Sequence, residues 1–212
     1  MQKLLYIAPH LSTGGLPQYL TKKIELLKDE FDIYLVEWVD CTGGRLVIQK
    51  NKILDLLDSN NFFTLGEDKH ELFDIIKKIS PHIIHLEEIP EYFMDDGVAR
   101  KLYSTDRDYF LVETSHDSSM DTSNKLFYPD KFMFVSNWQI DQYNHVDIPK
   151  ILVEYPIECI PRPDRVIALQ RLNLNPSKKH ILHIGLFTSR KNQKEFFEYA
   201  KSLPEYEFHS VG

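Results

Sequence analysis

Short apolar runs alternate along this chain with stretches whose apolar residues recur every three or four positions. KLLYIA, residues 3–8, has the length and continuity of a strand buried on both faces. Leu16, Leu20, Ile24 and Leu27 then form one stripe of an amphipathic helix, with Pro17 in the first turn, where a missing N–H is tolerated. FDIYLVEW, residues 31–38, is a second strand, so the first forty residues predict a right-handed βαβ unit. Residues 40–66 carry the weakest pattern: Thr42-Gly43-Gly44 marks a turn, and RLVIQ and NFFTL fit short strand or loop equally well. Order returns with EDKHELFDIIKKIS, whose Leu72, Ile75, Ile76 and Ile79 share a helical face and which Pro81 stops. HIIHLEE, YFLVETSH and KFMFVSN are three further apolar runs, DGVARKLYS and WQIDQYN read as helices, and ILVEY, residues 151–155, reads as another strand.

This alternation predicts an α/β fold, a Rossmann-like doubly wound parallel sheet spanning residues 1–155. Pro149, Pro156, Pro161 and Pro163 then mark a connection, and residues 156–179 are expected as an interdomain linker. From residue 180 to 212, strand (KKHILHIGL), helix (RKNQKEFFEYAKSL, with Phe196, Ala200 and Leu203 on one side) and strand (YEFHSVG) form one βαβ unit. A unit of that size buries too little surface to stand alone, so it is expected to pack on the first domain or to open a larger second one.

In doubly wound sheets, ligands collect beyond the carboxyl ends of the strands. The polar residues that follow each apolar run are therefore the site candidates: His10 to Gly15, Glu87 with Glu88, His116 with Asp117, and Ser136 with Asn137. Gly14 and Gly15 sit between a strand and a helix, where they make either a tight turn or a cradle of backbone N–H groups for an anion. STGGLPQ is neither G-x-G-x-x-G nor a P-loop, and no Y-x-x-x-K pair of an epimerase stands out: Tyr19 and Lys23 have that spacing but read as the solvated face of the first helix. Arg190 and Lys191 lie where the last helix is expected to begin, and basic groups there oppose the helix dipole unless an anion binds. Glu87 and Glu88 can act as base, bind sugar hydroxyls, or form a solvated pair. His82 and His85 are three apart on a strand and point to opposite faces, the S-H-D run at His116 is not a hydrolase triad, and DRD at 106–108 precedes a strand instead of following one. No metal site is expected.

Taken in order, APHLSTGGLPQYL, ETSHDSS, PDKFMFVSNWQ and ILHIGLFTSRKNQKEFFEYAKSL resemble family-4 glycosyltransferases (GT4) of the GT-B fold. That resemblance implies two facing Rossmann-like domains, with a nucleotide sugar held mainly by the second and a glycan or lipid-linked acceptor mainly by the first. It implies a donor-binding glycine loop at Gly14 and Gly15, a catalytic histidine beside the reacting sugar at His116, and a diphosphate-binding lysine at Lys191, with Arg190 beside it. Glu87 and Glu88 are placed on the acceptor side. Transfer with retention of configuration is implied, with no cofactor and no metal. Leu186 stands where the family carries an arginine, and its paired glutamates would fall beyond Gly212, so the chain reads as truncated early in the donor domain. A fragment that binds without catalysing is the other reading.

Composition adds exclusions. A net charge of −7, a pI near 5.7 and no basic run longer than two residues argue against nucleic acid as a partner. Two distant cysteines, Cys41 and Cys159, and no apolar stretch of membrane-spanning length lead to the expectation of a cytoplasmic protein with reduced thiols.

Overall fold

The computed structural model describes residues 1–41, 48–117, 119, 121–157 and 159–212. The expected turn at Thr42-Gly43-Gly44 and the first part of RLVIQ lie outside these residues. The chain divides into two compact units, Met1–Ile157 and Glu158–Gly212.

In the first unit, β1 (Gln2–Ala8), α1 (Gly15–Leu27) and β2 (Phe31–Glu37) form the expected βαβ unit. They are followed by α2 (Ile48–Leu54), β3 (Phe62–Thr64), α3 (Glu71–Ile79), β4 (Ile83–Leu86), α4 (Asp96–Leu102), β5 (Phe110–Ser115), β6 (Lys131–Phe134), α5 (Asn137–Gln142) and β7 (Lys150–Leu152). All seven strands are parallel, in the order β3-β2-β1-β4-β5-β6-β7.

The apolar runs explain why the sheet is covered on both sides. Alternate residues of a strand face opposite layers. Leu4, Tyr6 and Ala8 of β1 pack with Leu20 and Ile24 of α1 and Ile53 of α2, whereas Leu5 and Ile7 pack with Leu72 and Ile79 of α3 and with Val98 and Leu102 of α4. Each such aliphatic side chain contributes about 1.5–3 kcal/mol on burial. Phe132 and Phe134 of β6 form a third, aromatic cluster with Tyr143.

Three elements differ from expectation. RLVIQ leads into α2, because the buried side of that helix combines Ile53 with Gln49 and Lys50, polar residues that an apolar pattern counts as exposed. ILVEY yields only the short edge strand β7; beyond it, Val153 donates its N–H to the Phe134 carbonyl at 2.8 Å. Within the residues expected as a linker lies α6 (Arg165–Arg171), whose amino end is capped by the Asp164 carboxylate accepting from the N–H groups of Val166 and Ile167.

The second unit also holds β8 (Lys179–Ile184), α7 (Gln193–Ser202) and β9 (Tyr206–Val211), with β8 and β9 parallel. Phe196 of α7 packs on His183 of β8 and Phe208 of β9, which fixes the helix to one face of this two-stranded sheet. Among the described residues, no helix is long and apolar enough to cross a membrane.

Candidate functional site

Strands β1 and β4 are neighbours although β2 and β3 separate them in sequence. The chain therefore builds outward from β1 to one edge and returns to β4 to build the other, and the crevice beyond these two strands is where such sheets bind ligands. Of the expected site residues, His10, Gly14 and Gly15 follow β1, Glu87 and Glu88 follow β4, and His116 follows β5.

The two glycines serve different needs. Gly14 adopts φ 118°, ψ −172°, a conformation that L side chains avoid, although a Cβ there would meet nothing within 4 Å. Gly15 begins α1, and a Cβ there would stand 3.7 Å from the Tyr155 hydroxyl, an ordinary contact. The first turn of α1 has no side-chain cap and no acidic residue, so its N–H groups are available to an anion. The loop is held from beneath by Glu37, fully buried, which accepts from the Leu11 N–H at 3.0 Å and from Lys50 at 2.6 Å; Lys50 also bonds Asp40 at 2.9 Å.

Beneath the crevice lies a buried polar cluster. Lys23 of α1 donates to Glu87 in a very short ion pair, and its ammonium lies 4.9 Å from the ring centroids of both Tyr6 and Tyr19. Burial acts to raise the Glu87 carboxyl, but Lys23, and then His85 and His116, outweigh it and hold the group far below the ordinary carboxylate range. His85, which shares a 2.7 Å hydrogen bond with the Thr114 hydroxyl, is pushed down to about 3 by burial and by Lys23, and so stays neutral. The other oxygen of Glu87 stands 3.3 Å from His116 Nε2. An ionised carboxylate only accepts, so Nε2 carries the proton in this contact, while Nδ1 meets the Tyr155 hydroxyl at 2.8 Å. Tyr19 packs edge-on against both His116 and Tyr155, and the His116 side chain is only 7% exposed.

Glu88 is placed differently. With Pro9, His10, Thr13, Gly15 and Leu16 it lines a cavity of about 520 Å³. One of its oxygens accepts from the N–H of Ile89 at 2.9 Å and of His116 at 3.4 Å. Burial, with help from Asp117 and Glu113, nevertheless raises its carboxyl to about 7. Of the two acidic residues expected on the acceptor side, then, Glu88 faces the cavity, while Glu87 is fully buried behind His116.

Tyr19 and Lys23, read from the sequence as a solvated face, are buried, at 1% and 8% exposure. Ser136 caps α5 by accepting from the Gln139 N–H. In the second unit, Arg190 and Lys191 belong to a short 3-10 turn, and α7 begins after them at Gln193, because Asn192 takes a left-handed conformation (φ 54°) between the two. The stem of Lys191 lies over Gly185, close enough that a Cβ there would touch it at 3.5 Å.

No protein-family model matches the chain, and no curated protein matches it. Among solved structures it is similar to Alr3699/HepE of Anabaena, crystallised in complex with UDP, with 12% identity and a TM-score of 0.62 over 100% of this chain and 70% of that one. A dTDP-glucose 4,6-dehydratase from Bacillus anthracis str. Ames, in complex with NAD, aligns at 15% identity over 87% of this chain and 64% of that one; its TM-score of 0.37 is too low to carry an argument. The first likeness shows the fold, the Rossmann-like α/β architecture that the sequence pattern predicts.

Proposed function

We propose that the chain is a glycosyltransferase of GT-B architecture and family-4 type, moving a sugar with retention of configuration from a nucleoside-diphosphate sugar to a glycan or lipid-linked acceptor. The observation that carries this reading is the gathering of uncapped α1 amides at Gly14–Gly15, the cavity-facing Glu88 and the oriented His116 around the carboxyl ends of three adjacent strands. Likeness along the whole chain to a protein crystallised with UDP supports it.

In this reading the first unit receives the acceptor, and the second corresponds to the opening βαβ unit of a donor-side domain. Glu88, with its carboxyl near 7, exchanges hydrogen bonds with acceptor hydroxyls in either protonation state. Glu87 and Tyr155 orient the His116 ring beside the reacting sugar. Lys191 and Arg190 of the second unit neutralise charge that develops on the departing diphosphate. Each such charge-assisted hydrogen bond contributes about 1.5–3 kcal/mol, roughly 10- to 150-fold in rate or affinity.

The test is release of nucleoside diphosphate from a panel of nucleotide sugars offered with glycan and lipid acceptors. Turnover that His116→Ala abolishes is expected. Nucleotide-sugar binding without any release would leave a binding module in place of an enzyme.

A further inference from the structure

The face of the β8–β9 sheet turned away from Phe196 carries a cluster that the proposed sugar transfer does not use. The strand register sets His180 opposite Glu207 and Leu182 opposite His209, so alternation puts His180, Glu207 and His209 on one face. All three are half-buried, and one ligand atom from each lies within 4.8 Å of the others. His180 Nδ1 stands 2.9 Å from His209 Nε2 and 3.3 Å from a Glu207 oxygen.

The tautomer of His180 follows from its other nitrogen. Nε2 lies 2.8 Å from the Asn175 carbonyl oxygen, which can only accept, so Nε2 carries a hydrogen and, in the neutral ring, Nδ1 presents a lone pair. That lone pair faces a second imidazole nitrogen and a carboxylate oxygen, so three potential ligand atoms turn toward one point. Ligands at about 2.0–2.1 Å from a tetrahedral ion stand roughly 3.3–3.4 Å apart; the 3.3 Å between His180 and Glu207 matches that spacing, and the 2.9 Å between the two imidazoles has to open by a few tenths of an ångström to admit the ion. A backbone carbonyl that fixes the far side of a ligating imidazole is also the usual outer support of such a site.

We propose that His180, Glu207 and His209 bind a divalent transition-metal ion of the zinc class, joining β8 to β9, with the Asn175 carbonyl holding the His180 ring. Two imidazoles and one carboxylate suit zinc and its neighbours better than magnesium or calcium, and they leave a fourth position open. Twenty-six residues lie between His180 and Glu207, which is why no motif spacing announces the site. The inference is independent of the sugar-transfer reading.

The test uses the full chain, stripped with a chelator and titrated calorimetrically with zinc chloride, then loaded with cobalt(II) for its visible spectrum. One equivalent of zinc per chain and a tetrahedral cobalt spectrum are expected. His180→Asn and His209→Asn should each weaken binding at least about tenfold, and the near-isosteric Glu207→Gln should weaken it with an unchanged circular dichroism spectrum. His145→Asn, an exposed histidine of the first unit, should leave the stoichiometry at one. Absence of zinc binding, or an equivalent that persists in both His180→Asn and His209→Asn, overturns the proposal and leaves a hydrogen bond between the two imidazoles in its place.

Discussion

Gly14 and Gly15 are adjacent, yet only one of them depends on being glycine. Gly14→Ala forces a side chain into the positive-φ region and should cost about 1–2 kcal/mol. Gly15→Ala adds a methyl at ordinary contact distance on a helical residue and should stay within about 0.5 kcal/mol. Urea unfolding midpoints of the two variants measure the difference directly. Glu88 offers a second residue-level prediction, in which the sign is set by its raised carboxyl. Its folded value of about 7 lies above the ordinary 4.5, so the fold favours the neutral form, and that contribution is full below 4.5 and lost as pH rises through 7. Glu88→Gln keeps an oxygen to accept from the Ile89 and His116 N–H groups while fixing neutrality. The variant should match the wild type near pH 4.5 and exceed it by roughly 2–3 kcal/mol at pH 8; equal urea midpoints at both pH values would contradict the assignment. Glu88 and His116 were legible in the sequence because each ends an apolar run. Lys23 was not, although it lies three residues after Leu20 and seven after Leu16, inside the apolar stripe of its helix. A charge in that position is a signal of a buried partner, and Glu37, enclosed by Val36 and Trp38, carries the same signal.

At the scale of elements, the Lys23–Glu87 pair ties α1 to the carboxyl end of β4. Lys23→Met keeps the apolar stem but strands a buried carboxylate, an exchange that typically costs 3–5 kcal/mol. The depressed Glu87 carboxyl contributes stability that is present above its unfolded pKa and is lost only as pH falls through the folded value, far lower. Without Lys23 that loss begins at higher pH, so the acid-unfolding midpoint, followed by circular dichroism, should move upward. The elements that could be read from the sequence were those with long apolar runs or a full stripe, β1, α1, β2 and α3 among them. Helices α2 and α6 escaped because the described side chains of each bury little apolar surface: α2 shares its inner side with Gln49 and Lys50, and α6 buries only Leu169. A seven-residue helix with one buried aliphatic anchor has almost no periodicity to detect.

Across the whole molecule, the doubly wound order and its switch between β1 and β4 place every first-unit candidate at one end of one sheet, which the alternation of runs was enough to predict. The remaining candidates, Arg190 and Lys191, lie on the second unit, and the sugar-transfer account requires them to grip the diphosphate of the donor. Calorimetric titration of the full chain with UDP, for the wild type and for Lys191→Ala, tests that requirement most directly. The account predicts saturable binding by the wild type and an affinity at least about tenfold weaker in the variant; an affinity unchanged by the substitution would contradict it.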